Sequence, residues 1–279
     1  MRQSSVKTFN KIIRRFAKIV NLYDTEAVKD VIANLNVDEN TKVTYCTAFD
    51  AFYRFIEISW KRPKYQYSHK LPEFLPEKEE LDNLIAGSGP KLGPLLQLIV
   101  ETGMRLNEAL SLTWICINFN NQIITLTKAE KHSLPRVFNV STKLLGMLGN
   151  LSRKNDKIFG KMTDVSAESC IKNARRNVAK KVSNPRIAKI HFHLIRHYYG
   201  TMLYHRKPDI FYVSKMLGHK SVLTTQIYIN LEQMMFSGTT NEYIGMVATT
   251  QAEKLKAIES GFDFVSADAD GTHYFRKRK

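Results

Sequence analysis

Apolar residues recur at helical spacing from the start of the chain. Phe9, Ile12, Ile13, Phe16, Ile19 and Val20 fall on one stripe of residues 4–20, behind a serine suited to capping a helix start. The cations Lys7, Lys11, Arg14, Arg15 and Lys18 occupy the rest of that helix. A second short helix is predicted from Thr25 and a third from about Thr41, where Val43, Phe49, Phe52, Tyr53 and Ile56 form another stripe. Residues 1–60 therefore read as a small all-helical domain. In KRPKYQYSHKLPEFLP, Pro63, Pro72 and Pro76 break the helical period while basic and aromatic residues alternate, which predicts a basic linker over 61–72 that includes Lys61, Arg62 and Lys64.

A second domain is predicted over 73–235. Its first helices, in EKEELDNLIAGSG and PLLQLIVETGMRLNEALSLTW, are separated by Gly87, Gly89 and Pro90. Residues 114–140 change period and predict two or three short strands, with Asn120 and Asn121 in a hairpin turn. Helices resume from about Thr142. The extension 236–279 predicts a short helix, opened by a Thr250/Glu253 capping box and closed by Gly261, then a hairpin around Asp270 and Gly271. The fold class is mainly α with a small antiparallel β-sheet.

With 43% hydrophobic residues in 279, the chain can bury one sizeable core and a second, smaller one. No apolar run reaches the roughly 18–20 residues of a membrane span, and MRQSSVKTFNKIIRRF lacks the apolar stretch of a secretion signal, so a cytoplasmic protein is expected. Cys46, Cys116 and Cys170 are odd in number and widely separated, which favours neither a disulfide framework nor a Cys-x-x-Cys metal site. Charge changes the picture most: Lys+Arg 42 against Asp+Glu 26 gives a net +16, and nucleic acid is the commonest intracellular polyanion. A basic surface kept for solubility is the plainer alternative, and charge alone does not exclude it.

More specific signals come from short stretches. TGMRLNEAL places Arg105 and Glu108 one helical turn apart, so the carboxylate can orient the guanidinium; standing alone, the pair reads as an ordinary surface ion pair. HFHLIRHYYG places His193 and Arg196 at the same spacing. His191, His193 and His197 raise the question of a metal, yet no cysteine or carboxylate accompanies them and the neighbouring charge is cationic, which disfavours one. In LGHKSVLTTQIY, His219 follows a turn glycine and Tyr228 lies nine residues further on. Alone, Tyr228 reads as a core tyrosine beside Val222 and Ile227, and Tyr198 and Tyr199 read the same way.

The ordered set of Arg105, Lys128 on a strand, His193, Arg196, His219 and Tyr228 shifts that balance. TGMRLNEALSL, HLIRH and LGHKSVLTTQIY resemble the motifs of the tyrosine recombinase (phage integrase) family, in the same order and with fitting separations over roughly residues 73–232. TKAEKHSLPRVF is similar, more loosely, to that family's lysine hairpin. Where the family commonly has Gly-Lys-Gly, this chain has Thr127-Lys128-Ala129 with Lys131 close behind; Lys128 is favoured because it lies nearest the end of the predicted strand. The ending GFDFVSADADGTHYFRKRK looks like tails found on archaeal members.

The resemblance implies a site-specific DNA recombinase that cleaves and rejoins strands through a 3′-phosphotyrosyl intermediate, with neither metal nor ATP nor another cofactor. Attack on phosphorus builds charge on the nonbridging oxygens and leaves an alkoxide, so it needs fixed cations and a proton donor. Arg105 and Arg196 would hold the scissile phosphate, His219 would donate a further hydrogen bond, and Lys128 would protonate the leaving 5′ oxygen. Tyr228 would be the nucleophile, with its phenolate favoured by the surrounding cations and its proton taken by His193; Glu108 would orient Arg105. Two basic domains would clamp duplex DNA through Lys7, Lys11, Arg14, Arg15, Lys18, Lys61, Arg62 and Lys64, although those of the first helix can equally form a solvated face. Four protomers would act around two duplexes at the nucleoid. LEQMMFSGTTNEYIGMV would pack on a neighbouring protomer or on its own domain. A type IB topoisomerase and a catalytically silent DNA-binding protein of integrase ancestry are the alternatives.

Overall fold

The computed structural model describes residues 3–68, 71–127, 133–236, 243–268 and 271–278. The chain divides into two compact units, residues 1–71 and 72–279. In the first, α1 (Gln3–Phe16), α2 (Thr25–Asn34) and α3 (Glu39–Phe55) follow the predicted stripes. Asp24 and Asp38 accept hydrogen bonds from Ala27 N and Thr41 N and so fix where α2 and α3 start. The apolar faces meet in a core of Phe16, Val28, Ile32, Cys46, Phe49 and Tyr53.

The stretch after α3 is not a free linker over its first part. Trp60 packs 4.9 Å from the Tyr53 ring, and its indole N–H donates to Asp50 at 2.8 Å. Arg62 pairs with the other oxygen of Asp50 at 2.5 Å. Further on, Asn40 and Ser68 exchange two hydrogen bonds of 2.8 and 2.9 Å. A half-buried carboxylate beside an aromatic face therefore holds residues 60–68 on the helical unit, and the division falls between Leu71 and Pro72. These are long-range pairings, and composition does not signal them.

The second unit is built around α5 (Leu92–Thr102), apolar on every side and buried along most of its length. Packed around it are α4 (Lys78–Ala86), α6 (Leu106–Ser111), α7 (Thr142–Gly149), α8 (Asp164–Lys181) and α9 (Phe192–Arg206). The strands β1 (Ile117–Asn118), β2 (Ile123–Leu126) and β3 (Arg136–Asn139) form an antiparallel sheet in the order β1-β2-β3. At the β1–β2 turn, Asn118 caps the backbone N–H of Asn121. After α9 come α10 (Ile210–Leu217) and α11 (Ile227–Phe236), which packs back on α9.

Beyond α11, β4 (Tyr243–Ala248), α12 (Gln251–Glu259), β5 (Asp263–Ala267) and β6 (His273–Arg278) form a second antiparallel sheet in the order β4-β6-β5. The predicted capping box at Thr250 and Glu253 opens α12. Sequence pattern did not give β4, whose strand partner β6 lies far along the chain. Residues 243–248 pair with β6 of the same chain. Among the described residues, no helix is long and apolar enough to cross a membrane.

Asp50→Ala should free residues 60–68 and lower the stability of the first unit by about 2 kcal/mol. Trp60 emission would then shift to the red, and an unchanged spectrum would show that Asp50 does not hold the segment.

Candidate active site

Helix α5 stops at Gly103, whose left-handed backbone (φ 61°) turns the chain toward α6. A side chain cannot fit here, because a Cβ would lie 2.2 Å from the Tyr199 ring. Arg105 follows with extended backbone and caps α6; it does not sit within a helix as the spacing suggested. Glu108, fully buried, reaches back to accept from Arg105 N at 3.0 Å and pairs with Arg105 Nη1 at 3.2 Å. That same nitrogen donates to Ser133 Oγ at 2.6 Å. Burial pushes the Glu108 carboxyl up, but the hydrogen bond from Arg105 and the charges of Arg136 and Arg105 outweigh it and hold the group below its usual range.

Arg196, on α9, is 2% exposed. Its Nη1 donates to the Gly103 carbonyl at 2.5 Å; its Nη2 donates to the Leu217 carbonyl at 2.7 Å and lies 3.1 Å from His219 Nε2. Burial, then repulsion from Arg105, lowers its pKa to about 10, so it stays charged at neutral pH. Arg105, Arg196 and His193 line one cleft of about 530 Å³, with Asn107 and Glu168.

Gly218 ends α10 in the left-handed region (φ 67°) and presents His219, as expected. His219 Nε2 can only accept from Arg196, so the ring proton belongs on Nδ1, which donates to Thr225 Oγ1 at 2.9 Å. Burial and the flanking arginines push its pKa down to about 3. The imidazole is therefore neutral, and in this state Nε2 is not the donor expected from sequence.

Tyr228, on α11, stacks on His219 with ring centroids 6.3 Å apart. Its position rests on Gly200 of α9, where a Cβ would lie 2.4 Å from the Tyr228 ring. Leu194, Tyr199, Val213, Leu217 and Leu231 complete the surroundings. A second fastening joins the same helices: His205 pairs with Glu232 at 2.7 Å and stacks on Phe236 at 3.7 Å.

A family model, the phage integrase family, matches residues 78–234, more than half of the chain. The chain belongs to the phage integrase family. It is 27% identical over 212 residues to the tyrosine recombinase XerA of Saccharolobus solfataricus, covering 75% of this chain and 68% of that one. It is 23% identical over 264 residues to a tyrosine recombinase of Thermosipho africanus, covering 82% and 89%. In fold it is similar to the Tn1549 transposon integrase in complex with circular intermediate DNA, with a TM-score of 0.67 at 12% identity, over 86% of this chain and 95% of that one.

Within this integrase-family chain, the structure brings together Arg105, Glu108, Arg196, His219 and Tyr228 from three helices, α6, α9 and α11, and the turn after α10. His193 is exposed at the cleft, and His197 stands between it and the nucleophile candidate, with ring centroids 4.6 Å from His193 and 5.8 Å from Tyr228. The expected phenolate is not present. Tyr228 is 2% exposed, and burial pushes its pKa up to about 12 against the opposing pull of Arg196 and Arg105. Lys128 and Lys131 lie outside the described residues.

In the first unit, Lys7, Lys11, Arg14, Arg15 and Lys18 are all exposed and line one shallow groove of α1. Lys61 and Lys64 are exposed, whereas Arg62 is engaged by Asp50. Sequence reasoning missed Arg136 on β3, which is 5% exposed and pairs with Glu108 at 2.6 Å. Alternation with the inward-facing Phe138 was the available signal.

Gly200→Ala should expel the Tyr228 ring, lowering the melting temperature and returning the phenol's absorbance titration from about 12 toward 10; an unmoved titration would mean that the ring is not seated on Gly200. His197 and His219 are both held at about 3 against an ordinary 6.5. Between those values the unfolded chain binds the protons and the native one does not, so stability should fall as pH drops from 6.5 toward 3. Denaturant titrations across that range check this, and His197→Gln should shallow the slope.

Proposed function

We propose that the protein is a site-specific DNA recombinase that breaks and rejoins strands through a 3′-phosphotyrosyl intermediate. One observation carries the reading: Arg105 and Arg196 line one cleft, His219 Nε2 lies 3.1 Å from Arg196, and the only side chain stacked on that histidine's ring among the described residues is Tyr228. Three guanidinium groups, Arg105, Arg136 and Arg196, surround a single buried carboxylate, Glu108, so the cluster carries an excess of positive charge suited to an anion.

A phosphodiester supplies that anion. Arg105 and Arg196 hold its nonbridging oxygens, where negative charge grows during reaction. The phosphate's charge also favours the imidazolium form of His219, in which both ring nitrogens donate. Tyr228 Oη attacks phosphorus, the bond to the 5′ oxygen breaks, the phenol proton passes to His193, and the 5′ oxygen takes a proton from Lys128. The phosphotyrosyl bond is close in energy to the one it replaces, so a 5′ hydroxyl from a partner duplex can attack it and restore a phosphodiester without ATP. The fixed cations supply the electrostatic stabilisation that a metal ion gives elsewhere. For Tyr228 to reach phosphorus, α11 must leave its seat on Gly200, so DNA binding and α11 release are coupled.

The groove of α1 and the exposed Lys61 and Lys64 add phosphate contacts that help clamp the duplex. The active assembly is a homotetramer around two duplexes, working at the nucleoid in the cytoplasm. The archaeal-like tail and the similarity to the Saccharolobus XerA support an archaeal or archaeal-virus origin.

A nicked duplex that traps the cleaved state should give a covalent protein–DNA adduct whose peptide map ends at Tyr228. Tyr228→Phe should abolish it, Arg105→Ala and Arg196→Ala should each slow it about 100- to 1000-fold, and a chelator should have no effect. An adduct that survives Tyr228→Phe, or one that requires a divalent cation, overturns the mechanism. Relaxation of supercoiled DNA by monomers without paired sites would point to a topoisomerase.

A further inference from the structure

Arg136 begins β3, directly opposite Leu126 at the end of β2. In the alternation of that strand it points inward with Phe138, and only about 5% of it is exposed, so it cannot itself reach DNA. Burying a guanidinium is costly unless its charge is paired, and although Nε here has no hydrogen-bond partner, both terminal nitrogens are engaged. One partner is Glu108, 2.6 Å from Nη2, the carboxylate that also holds both the backbone and the side chain of Arg105. On the other side, Nη1 donates to the carbonyls of Met216 and Leu217, the last residues of α10 before Gly218 and His219. Gly218 leaves no room beyond this contact, since a Cβ there would lie 2.9 Å from the guanidinium carbon. The Leu217 carbonyl is in turn the acceptor for Arg196.

Two parts of the cluster from distant stretches of chain therefore meet on this one side chain. We propose that Arg136 is a positioning residue for strand cleavage: it sets the separation between Arg105 and His219, and ties both to the base of the β2–β3 hairpin. This rests on the recombinase reading given above. Without Arg136, Glu108 is left with Arg105 as its nearest cation and draws that guanidinium away from the phosphate. The α10 carbonyls lose a donor at the same time, and His219 and Arg196 lose their common reference point. Lysine keeps the charge but lacks the planar fork that spans Glu108 and two carbonyls.

The test is single-turnover adduct formation on a nicked duplex carrying the sequence at which the wild-type protein is found to cleave. If the wild type forms no adduct at Tyr228, the recombinase reading itself fails, before any variant is compared. Given wild-type cleavage, Arg136→Lys should unfold cooperatively and bind the duplex within about threefold of wild type, yet cleave about 100-fold more slowly. The loss should persist on a duplex with sulfur in place of the bridging 5′ oxygen, because that leaving group needs no proton. Cleavage by folded Arg136→Lys within about threefold of wild type overturns the proposal. So does full rescue by the sulfur substrate, which would confine Arg136 to the leaving-group side. Should Arg136→Lys not fold, the double variant Glu108→Gln/Arg136→Met replaces the pair by uncharged side chains of similar volume. It should fold, bind the duplex and show the same loss, and cleavage at the wild-type rate would refute the role.

Discussion

A single carboxylate makes this site possible. Like charges repel most strongly where water is scarce, and here Arg136 and Arg196 are almost wholly buried with Arg105 close by. Glu108, buried among them, offsets part of that repulsion and fixes the direction of Arg105 through two contacts. Backbone carbonyls do the rest: Gly103 and Leu217 accept from Arg196, and Met216 and Leu217 accept from Arg136. These carbonyls lie at the ends of α5 and α10, where the last turn leaves acceptors without intrahelical partners. Two left-handed glycines, Gly103 and Gly218, end those helices so that their acceptors face the guanidinium groups. The fold thus converts helix termini into a holder for clustered cations.

The nucleophile candidate is governed by the opposite tendency. Tyr228 sits in an apolar cluster, and burial raises its pKa more than nearby arginines lower it. Its ring is nonetheless only 6.3 Å from that of His219, so what separates it from the cations is a packing choice and not distance along the fold. The glycine at 200 and the paired His205 and Glu232 set that choice, by seating α11 on α9. The buried phenol and the clustered cations are thereby kept apart, and in the proposed reaction the phosphate rejoins them.

Much of this was legible in the chain. His193 one turn before Arg196, and Gly218 before His219 as a helix end, were readable from local spacing, as was the Arg105–Glu108 pairing, although Arg105 caps α6 and does not sit within it. The helical stripes of the first unit, the change of period near residue 114 and the capping box at Thr250 were readable for the same reason. What escaped depends on contacts between distant segments. Arg136 alternates with Phe138 on a short strand, but nothing local shows that Glu108 and the end of α10 meet it. Gly200 reads as a weak point in a helix until the Tyr228 ring lies on it. Residues 61–68 look like linker until Asp50 and Asn40 bind them, and β4 lacks a pattern of its own because β6 completes it. The direction of the Tyr228 shift belongs to this class too, since no local feature announces the apolar cluster around it.

The claim on which all of this depends is that one phosphorus centre can be touched by Tyr228, Arg105, Arg196 and His219 together. A crystal structure of the protein on a nicked duplex, with orthovanadate bridging the strand ends in place of the scissile phosphate, examines that contact itself. Vanadium should be bonded to Tyr228 Oη in line with the 5′ oxygen, with its equatorial oxygens held by Arg105, Arg196 and His219, and with α11 displaced from Gly200. Vanadate seated among the arginines while Tyr228 keeps its place over Gly200, or a different side chain bonded to the metal centre, would contradict it.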